Sequence, residues 1–223
     1  MAAETDFWKA VKTGDRPAVE SLLAADPRLA AARLDGASAI LVATYYHKPG
    51  IAECLRPHVP ELDIFEACAV GDAPRVKALL ESDGRLANAV AQDGFGPLGL
   101  ACFFGHEPVA RLLLAAGARV DQASSNSMRV MPLHSAAAAR SVPIARLLLE
   151  GGAPVNARQG DGEGGFTPLM EAAFNGQVEM VELLMRYGSD PSMKDDSGNN
   201  AADHARSKGH AALAERFGVA PWS

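Results

Sequence analysis

An alanine within a short apolar segment recurs seven times along this chain, and that repeat constrains the fold more than any other feature. Successive alanines lie 33, 24, 34, 35, 36 and 33 residues apart, which is the length of one pair of helices rather than of a domain. The seven positions are Ala10, Ala43, Ala67, Ala101, Ala136, Ala172 and Ala205. A unit of this size cannot bury its own apolar face, so we predict that the copies stack into one continuous solenoid.

Each unit carries the sequence signals of two short helices. Five units place a glycine at the end of the first helix, where the left-handed backbone conformation is common. Four units place a proline in the first turn of the second helix, which needs no backbone N–H. These residues are Gly14, Gly71, Gly105, Gly176 and Gly209, and Pro17, Pro74, Pro108 and Pro143. The second helices carry leucines at helical spacing, so we predict that Leu113, Leu148 and Leu184 lie at equivalent buried positions.

Three central segments share a longer motif, in which a Pro-Leu pair stands shortly before the alanine. The best copy of this motif is Thr167-Pro168-Leu169 in unit six, and unit four adds Gly105-His106 after its own alanine. These residues resemble the ankyrin repeat, whose pattern is DxxGxTPLHxAxxxGHxxIVxxLLxxGA. The resemblance covers nearly the whole chain. It implies an all-α solenoid of stacked helix-turn-helix units, with β-hairpin-like fingers and a concave face that binds partners.

We therefore predict a single ankyrin-repeat domain over residues 1–223, a stand-alone protein of about seven repeats. Its units are expected near 6–34, 35–60, 61–92, 93–127, 128–162, 163–195 and 196–218. The 24-residue interval between Ala43 and Ala67 is too short for a full finger, so we expect a missing finger between units two and three. Two other fingers are long, at 121–131 and 157–166. Richness in Ala, Gly and Arg favours a bacterial source.

Composition excludes several classes of function. The net charge of −6 argues against a nucleic-acid binder, and no apolar run approaches the ~20 residues that span a bilayer. The N-terminus has no secretory signal pattern. Cys54, Cys68 and Cys102 form no CxxC pair, so we expect buried thiols in a reducing cytoplasm. We predict a cytoplasmic monomer that binds no membrane.

Motifs for catalysis or cofactors do not appear in the sequence. There is no GxSxG elbow and no GxxxxGK[ST] loop. Asp161 and Glu163 lack the twelve-residue calcium pattern, and the resemblance implies that His106, His134 and His210 bond loop backbone. We therefore predict that the protein is not an enzyme and needs no cofactor or metal.

Large rings gather at positions that, by the resemblance, face the concave side. The candidate partner-binding residues are Tyr45, Tyr46, Phe95, Phe103, Phe104, Phe166, Phe174 and Asn175. Exposed aromatic patches mark interaction sites, although rings at these positions also pack against adjacent fingers. We predict a protein–protein interaction module, an adaptor, scaffold or inhibitor, that binds a protein or peptide on its concave face. The alternative is a small-ligand or ion-responsive module that uses the two long fingers.

Overall fold

The computed structural model describes residues 2–160, 164–218 and 222, and within these ranges the chain forms seven consecutive pairs of α-helices. The first helices of the pairs are α1 (Ala2–Thr13), α3 (Ala39–Tyr45), α5 (Ile64–Val70), α7 (Pro97–Phe103), α9 (Pro132–Ala138), α11 (Pro168–Phe174) and α13 (Ala201–Ser207). The second helices are α2 (Arg16–Ala25), α4 (Pro49–Leu55), α6 (Ala73–Ser82), α8 (Glu107–Ala115), α10 (Val142–Glu150), α12 (Val178–Arg186) and α14 (Ala211–Arg216). The predicted all-α fold class is confirmed.

The helices stack in two rows. The first helices pack on one another in chain order from α1 to α13. In the second row α2 packs on α4, and α6, α8, α10 and α12 pack in succession. Leu113, Leu148 and Leu184 are fully buried in this second row, which confirms their predicted equivalence. One continuous apolar core therefore runs through the stack.

The recurring alanine sits at a fixed point in the turn between the two helices. In every unit its carbonyl oxygen accepts a hydrogen bond, of 2.8–3.0 Å, from the N–H five residues later. The residue just before that N–H has a positive φ, so the first helix ends in a Schellman turn. Five units place glycine there, whereas unit two has His47 (φ 53°) and unit five has Arg140 (φ 58°). The four predicted prolines do lie in the first turns of α2, α6, α8 and α10.

Fingers connect most of the units, and the first of them is a regular hairpin. Finger A (33–38) pairs β1 (Arg33–Leu34) with β2 (Ala37–Ser38) in antiparallel register. Its two turn residues, Asp35 and Gly36, have φ of 50° and 88°, as a type I′ turn requires. An Asp-Gly pair favours this turn because both residues tolerate a positive φ.

The later fingers are looser and are closed by backbone hydrogen bonds of 2.9 Å. They are finger B (89–96), finger C (119–131), finger D (154–166) and finger E (189–199). Asp161 and Glu163 of finger D lie outside the described residues. Short 3₁₀ helices cover Pro27–Ala31, Arg56–His58 and Gly84–Asn88.

The finger expected to be missing between units two and three is absent. Only residues 59–63, all of them described, separate the 3₁₀ helix Arg56–His58 from α5. The helix α4 is also short, with seven residues against nine in α8, α10 and α12. The irregular period thus shortens both the finger and the second helix of unit two.

Candidate functional site

A cleft of about 550 Å³ opens where the first helices of units two and four meet fingers A, B and C. Its walls include Tyr45, Tyr46, Phe95, Phe103 and Met128, and we name it the aromatic cleft. Six large hydrophobic side chains are exposed in the described part of the chain. Three of the six line this cleft, namely Tyr46 (48% exposed), Phe103 (40%) and Met128 (44%).

The rings of units two and four meet because unit three is small at the corresponding position. Ala69 of unit three stands where Tyr45 and Phe103 stand in their own units, and it is fully buried. The Tyr45 ring centroid consequently lies 5.7 Å from Phe104 and 6.4 Å from Phe95. Phe104 in turn meets Phe103 edge-to-face at 5.1 Å. Aromatic pairs are stabilising at such distances, so these rings of units two and four form one cluster.

The missing finger also brings fingers A and B into contact. A Cβ on Gly36 would overlap the side chain of Gln92, so the turns of the two fingers touch. The Tyr45 hydroxyl donates a 2.8 Å hydrogen bond to Oδ2 of Asp93, while Oδ1 accepts from the Phe95 N–H at 3.2 Å. Burial raises the pKa of Tyr45, and the charge and hydrogen bond of Asp93 add to the effect. The hydroxyl therefore remains a donor at neutral pH.

A second aromatic cluster lies in units six and seven. The ring of Phe166 lies 4.4 Å from His204 and 6.2 Å from Phe174, between centroids. The Lys208 ammonium lies 4.3 Å from the centre of the Phe174 ring. Asn175 donates a 2.7 Å hydrogen bond to a glutamate one turn earlier on its own helix. Neighbouring groups of the same chain thus already contact these side chains.

The eight candidate residues fall into two separate groups. The aromatic cleft is lined by Tyr45, Tyr46, Phe95 and Phe103. Phe104 contacts their cluster from the side of the larger cavity. The second cluster contains Phe166, Phe174 and Asn175.

A larger cavity, of about 720 Å³, lies on the side of the helix-helix turns. Pro49 and Arg56 line it from unit two, Asp72 from unit three, and Phe104 and His106 from unit four. The Nε2 atom of His106 is 2.9 Å from a carbonyl oxygen of α5. The cavity lies beside the short helix α4, so we attribute it to the same irregular period that removes the finger.

Two histidines hold the fingers of the regular units. Nε2 of His134 lies 3.1 Å from the carbonyl oxygen of Ala157 and 3.2 Å from that of Phe166, so it ties finger D to α9. Burial lowers the pKa of His134 to about 4, and its Nδ1 atom has no hydrogen-bond partner among the described residues. His204 pairs with the buried Asp195 of finger E, over 2.8 Å from Nε2 to Oδ2. His134 thus bonds finger backbone as the resemblance implies, whereas His106 contacts a carbonyl oxygen of a helix rather than of a loop.

Among the lining residues of the aromatic cleft that sequence reasoning missed are Lys12, Asp35, Asp93 and Met128. Asp35 and Asp93 each precede a glycine of positive φ, and that Asp-Gly pair is a readable turn signal. The Lys12 ammonium lies 5.5 Å from the centre of the Tyr46 ring. Met128 carried no such signal, because the path of the long finger C is not fixed by local sequence.

Among residues 2–160 and 164–218, no group of three or more His, Cys, Asp and Glu side chains is placed to hold a metal ion. In the same ranges, no helix is both long enough and apolar enough to cross a bilayer. Cys54, Cys68 and Cys102 are buried free thiols, and burial raises the pKa of each of them.

Several known proteins are similar to parts of this chain. It is 32% identical over 152 residues to the tyrosine-protein kinase Shark of Drosophila melanogaster, a match that covers 68% of this chain and 16% of that protein. It is 34% identical over 141 residues to the ankyrin repeat and SAM domain-containing protein 6 of Mus musculus, covering 63% and 12%. It is 49% identical over 55 residues to the ARF GTPase-activating protein GIT2 of Mus musculus, covering 25% and 8%. The chain thus spans less than a fifth of each of these relatives.

The family comparison covers most of the stack. The family model described as ankyrin repeats in three copies matches residues 64–159 and 116–195. The two matches together take in the regular units and extend over more than half of the sequence. This chain belongs to the ankyrin-repeat family.

Proposed function

We propose that this chain is a protein–protein interaction module that binds a protein or peptide partner in the aromatic cleft. Ankyrin repeats are in general protein-interaction modules, and repeat solenoids use extended concave surfaces to bind. The observation that carries the proposal is the gathering of Tyr46, Phe103 and Met128, half of the large exposed hydrophobic side chains of the described residues, in one cleft.

The physical argument rests on how the cleft is built. Exposed apolar side chains that are contiguous mark interaction sites, and aromatic anchors dominate binding energies. Tyr45 and Phe95 are half-buried and held by hydrogen bonds to Asp93, so the exposed rings sit on a stiff support. A stiff support lowers the ordering cost of binding. Phe166, Phe174 and Asn175 would extend the contact surface toward unit seven.

Surface recognition, rather than turnover, is the proposed mechanism, as in an adaptor, scaffold or inhibitor. Two of the relatives are named for enzymatic activities, but the chain matches at most 16% of either. Their activities and partners are therefore not transferred. A single domain of seven units, a monomeric state, a cytoplasmic location and a bacterial source stay predictions from the sequence.

The alternative is a small-ligand or ion-responsive module that uses the long fingers, and a cavity of about 420 Å³ within finger C is the feature that bears on it. Finger C lines the aromatic cleft through Met128, so its length is accounted for by the proposed site. Finger D contains Asp161 and Glu163, which lie outside the described residues.

The test compares exposed rings inside and outside the cleft. The double variant Tyr46→Ala and Phe103→Ala is expected to abolish capture of the partner from the native lysate. Each hot-spot truncation costs ~2 kcal/mol or more, which together amount to a several-hundredfold loss of affinity. The matched control is Tyr187→Ala, which removes a ring that is 38% exposed at the end of α12.

Melting temperatures separate binding from folding in that experiment. All three proteins are expected to melt within a few degrees of one another, because exposed rings contribute little to folding. Retained capture by the double variant, or loss of capture by Tyr187→Ala alone, would contradict the proposed site.

A further inference from the structure

The charges at the rim of the aromatic cleft indicate what kind of segment it accepts, an inference that rests on the proposed function. Asp35 stands in the turn of finger A and Asp93 in the turn of finger B, and both line the cleft. The missing finger brings these two turns together, since Gly36 of one touches Gln92 of the other. The same irregular period therefore assembles both the rings and the carboxylates.

These carboxylates keep an uncompensated charge. Within the described ranges neither Asp35 nor Asp93 has an ion-pair partner, and Lys12 is the one cationic residue that lines the cleft. The Lys12 ammonium is directed to the Tyr46 ring, at 5.5 Å. The lining residues thus carry two negative charges against one positive charge.

Asp93 is also fixed in position before any partner arrives. Its two oxygens accept hydrogen bonds from the Tyr45 hydroxyl and from the Phe95 N–H. Each carboxylate oxygen has a further lone pair, so the group is still able to accept from a cationic donor. Charge-assisted hydrogen bonds to a prepositioned carboxylate are stronger than those between neutral groups.

The floor of the aromatic cleft is apolar, unlike its charged rim. Tyr46, Phe103 and Met128 are exposed there, and a flexible methionine beside rigid rings adapts to apolar side chains of varied shape. The volume of about 550 Å³ lies within the range of clefts that enclose a compact ligand. That space suits one large apolar side chain and part of its neighbour.

We propose that the aromatic cleft binds a protein segment in which a large apolar side chain stands beside an arginine or lysine. The apolar side chain packs on Phe103 and Met128. The cationic group pairs with Asp35 or Asp93, and the exposed ring of Tyr46 favours the same charge through its π face. Arginine suits the site best, because its planar guanidinium makes bidentate contacts with carboxylates.

The experiment selects ligands without assuming their sequence. A phage-displayed library of random dodecapeptides is panned on the full chain, and the enriched peptides are synthesised. The expected consensus joins Trp, Phe, Leu or Met to Arg or Lys within a few residues. Phe103→Ala is expected to abolish binding of these peptides, whereas Tyr187→Ala leaves it unchanged.

Charge removal on both sides then tests the pairing. Asp35→Asn keeps a residue that tolerates the positive φ of the turn, and Asp93→Asn keeps an oxygen that accepts from the Tyr45 hydroxyl. Together they are expected to weaken the peptide about three- to tenfold, as partly exposed charge pairs do. Replacing the basic residue of the peptide by Gln should produce the same loss in the native chain and no further loss in the variant.

The outcomes distinguish this inference from the function on which it rests. The charge preference would be overturned, with the proposed site intact, by either of two results. The selected peptides could need Phe103 but carry no basic residue, or they could bind the variant with both Asn substitutions as tightly as the native chain. Peptides indifferent to Phe103→Ala, or no enrichment at all, would overturn both.

Discussion

In units four to six successive alanines lie 35 and 36 residues apart, whereas Ala43 and Ala67 of units two and three lie only 24 apart. The longer period gives full fingers and a second-helix row in which α8, α10 and α12 pack in succession. The shorter period removes a finger, leaves a cavity of about 720 Å³ beside α4, and draws fingers A and B together. The regular units thus make the solenoid stiff, and the short interval between units two and three shapes the aromatic cleft.

The largest effect is expected from the core leucines of the second-helix row. Leu148 of α10 is fully buried between α8 and α12, so Leu148→Ala is expected to lower the free energy of unfolding by about 2–5 kcal/mol. Leu55, at the equivalent position of α4, is equally buried, but α4 packs on α2 without a comparable contact to α6, so Leu55→Ala is expected to cost less. Urea denaturation measures both, and a larger loss at Leu55 would contradict the contrast between the two regions.

Acid is expected to lower the free energy of unfolding, because His134 is protonated more readily in the unfolded chain. Its pKa is lowered from 6.5 to about 4 in the folded chain, so between these pH values the unfolded chain binds a proton that the folded chain does not. Stability therefore falls as the pH drops from 6.5 toward 4, by up to about 3 kcal/mol.

The control for that prediction is His134→Gln, which retains a donor but does not titrate. Denaturation at pH 7 and pH 4.5 should show a smaller pH dependence in this variant than in the native chain. An equal dependence in the two proteins would mean that other groups account for the acid sensitivity.

The contact between fingers A and B can be tested by a double-mutant cycle. Tyr45→Phe and Asp93→Ala are each expected to cost about 1.5–3 kcal/mol, the net contribution of a hydrogen bond to a charged group. The double variant should lose less than the sum, with a coupling of about 0.5–1 kcal/mol. Strict additivity would indicate that the two side chains do not meet in solution.

The smallest effect is a gain in stability at the start of α9. Its N-cap residue Met131 makes no side-chain cap, whereas Thr167 caps α11 in the next unit through a hydrogen bond to Met170 N–H. Met131→Thr is expected to add about 0.5–1 kcal/mol. A lower melting temperature would show that the packing of Met131 matters more than the cap.

Much of this fold follows from local rules in the sequence. The helix pairs were predictable because their signals depend on neighbouring residues only. These signals are the recurring alanines, the glycines with positive φ and the prolines of the second helices. The turns at His47 and Arg140 were harder to predict. Both residues have a positive φ, but a residue other than glycine gives no sequence signal for that conformation. The 24-residue interval between Ala43 and Ala67 correctly indicated a missing finger.

The site was less predictable, because it depends on contacts between distant units. Nothing local links Tyr45 to Asp93, 48 residues away, or brings Met128 to the same cleft. The resemblance to a regular repeat predicts only that these rings share the concave face. The small Ala69 and the shortened unit let the rings of units two and four meet, whereas unit five has Ala138 and Ala139 at the ring positions and so separates the two clusters. Irregularity in a repeat is visible in the sequence, but its consequence for packing is a property of the stack.

The most direct test of the aromatic cleft is methyl NMR of the chain labelled at its seven methionines. Met128 lies in the cleft and is 44% exposed, whereas Met170 and Met180 are buried in unit six. On addition of a peptide selected by panning, the Met128 methyl signal is expected to shift or broaden while those of Met170 and Met180 stay in place. A shift confined to Met185 or Met193, with Met128 unchanged, would place the binding surface on the regular units and contradict the account.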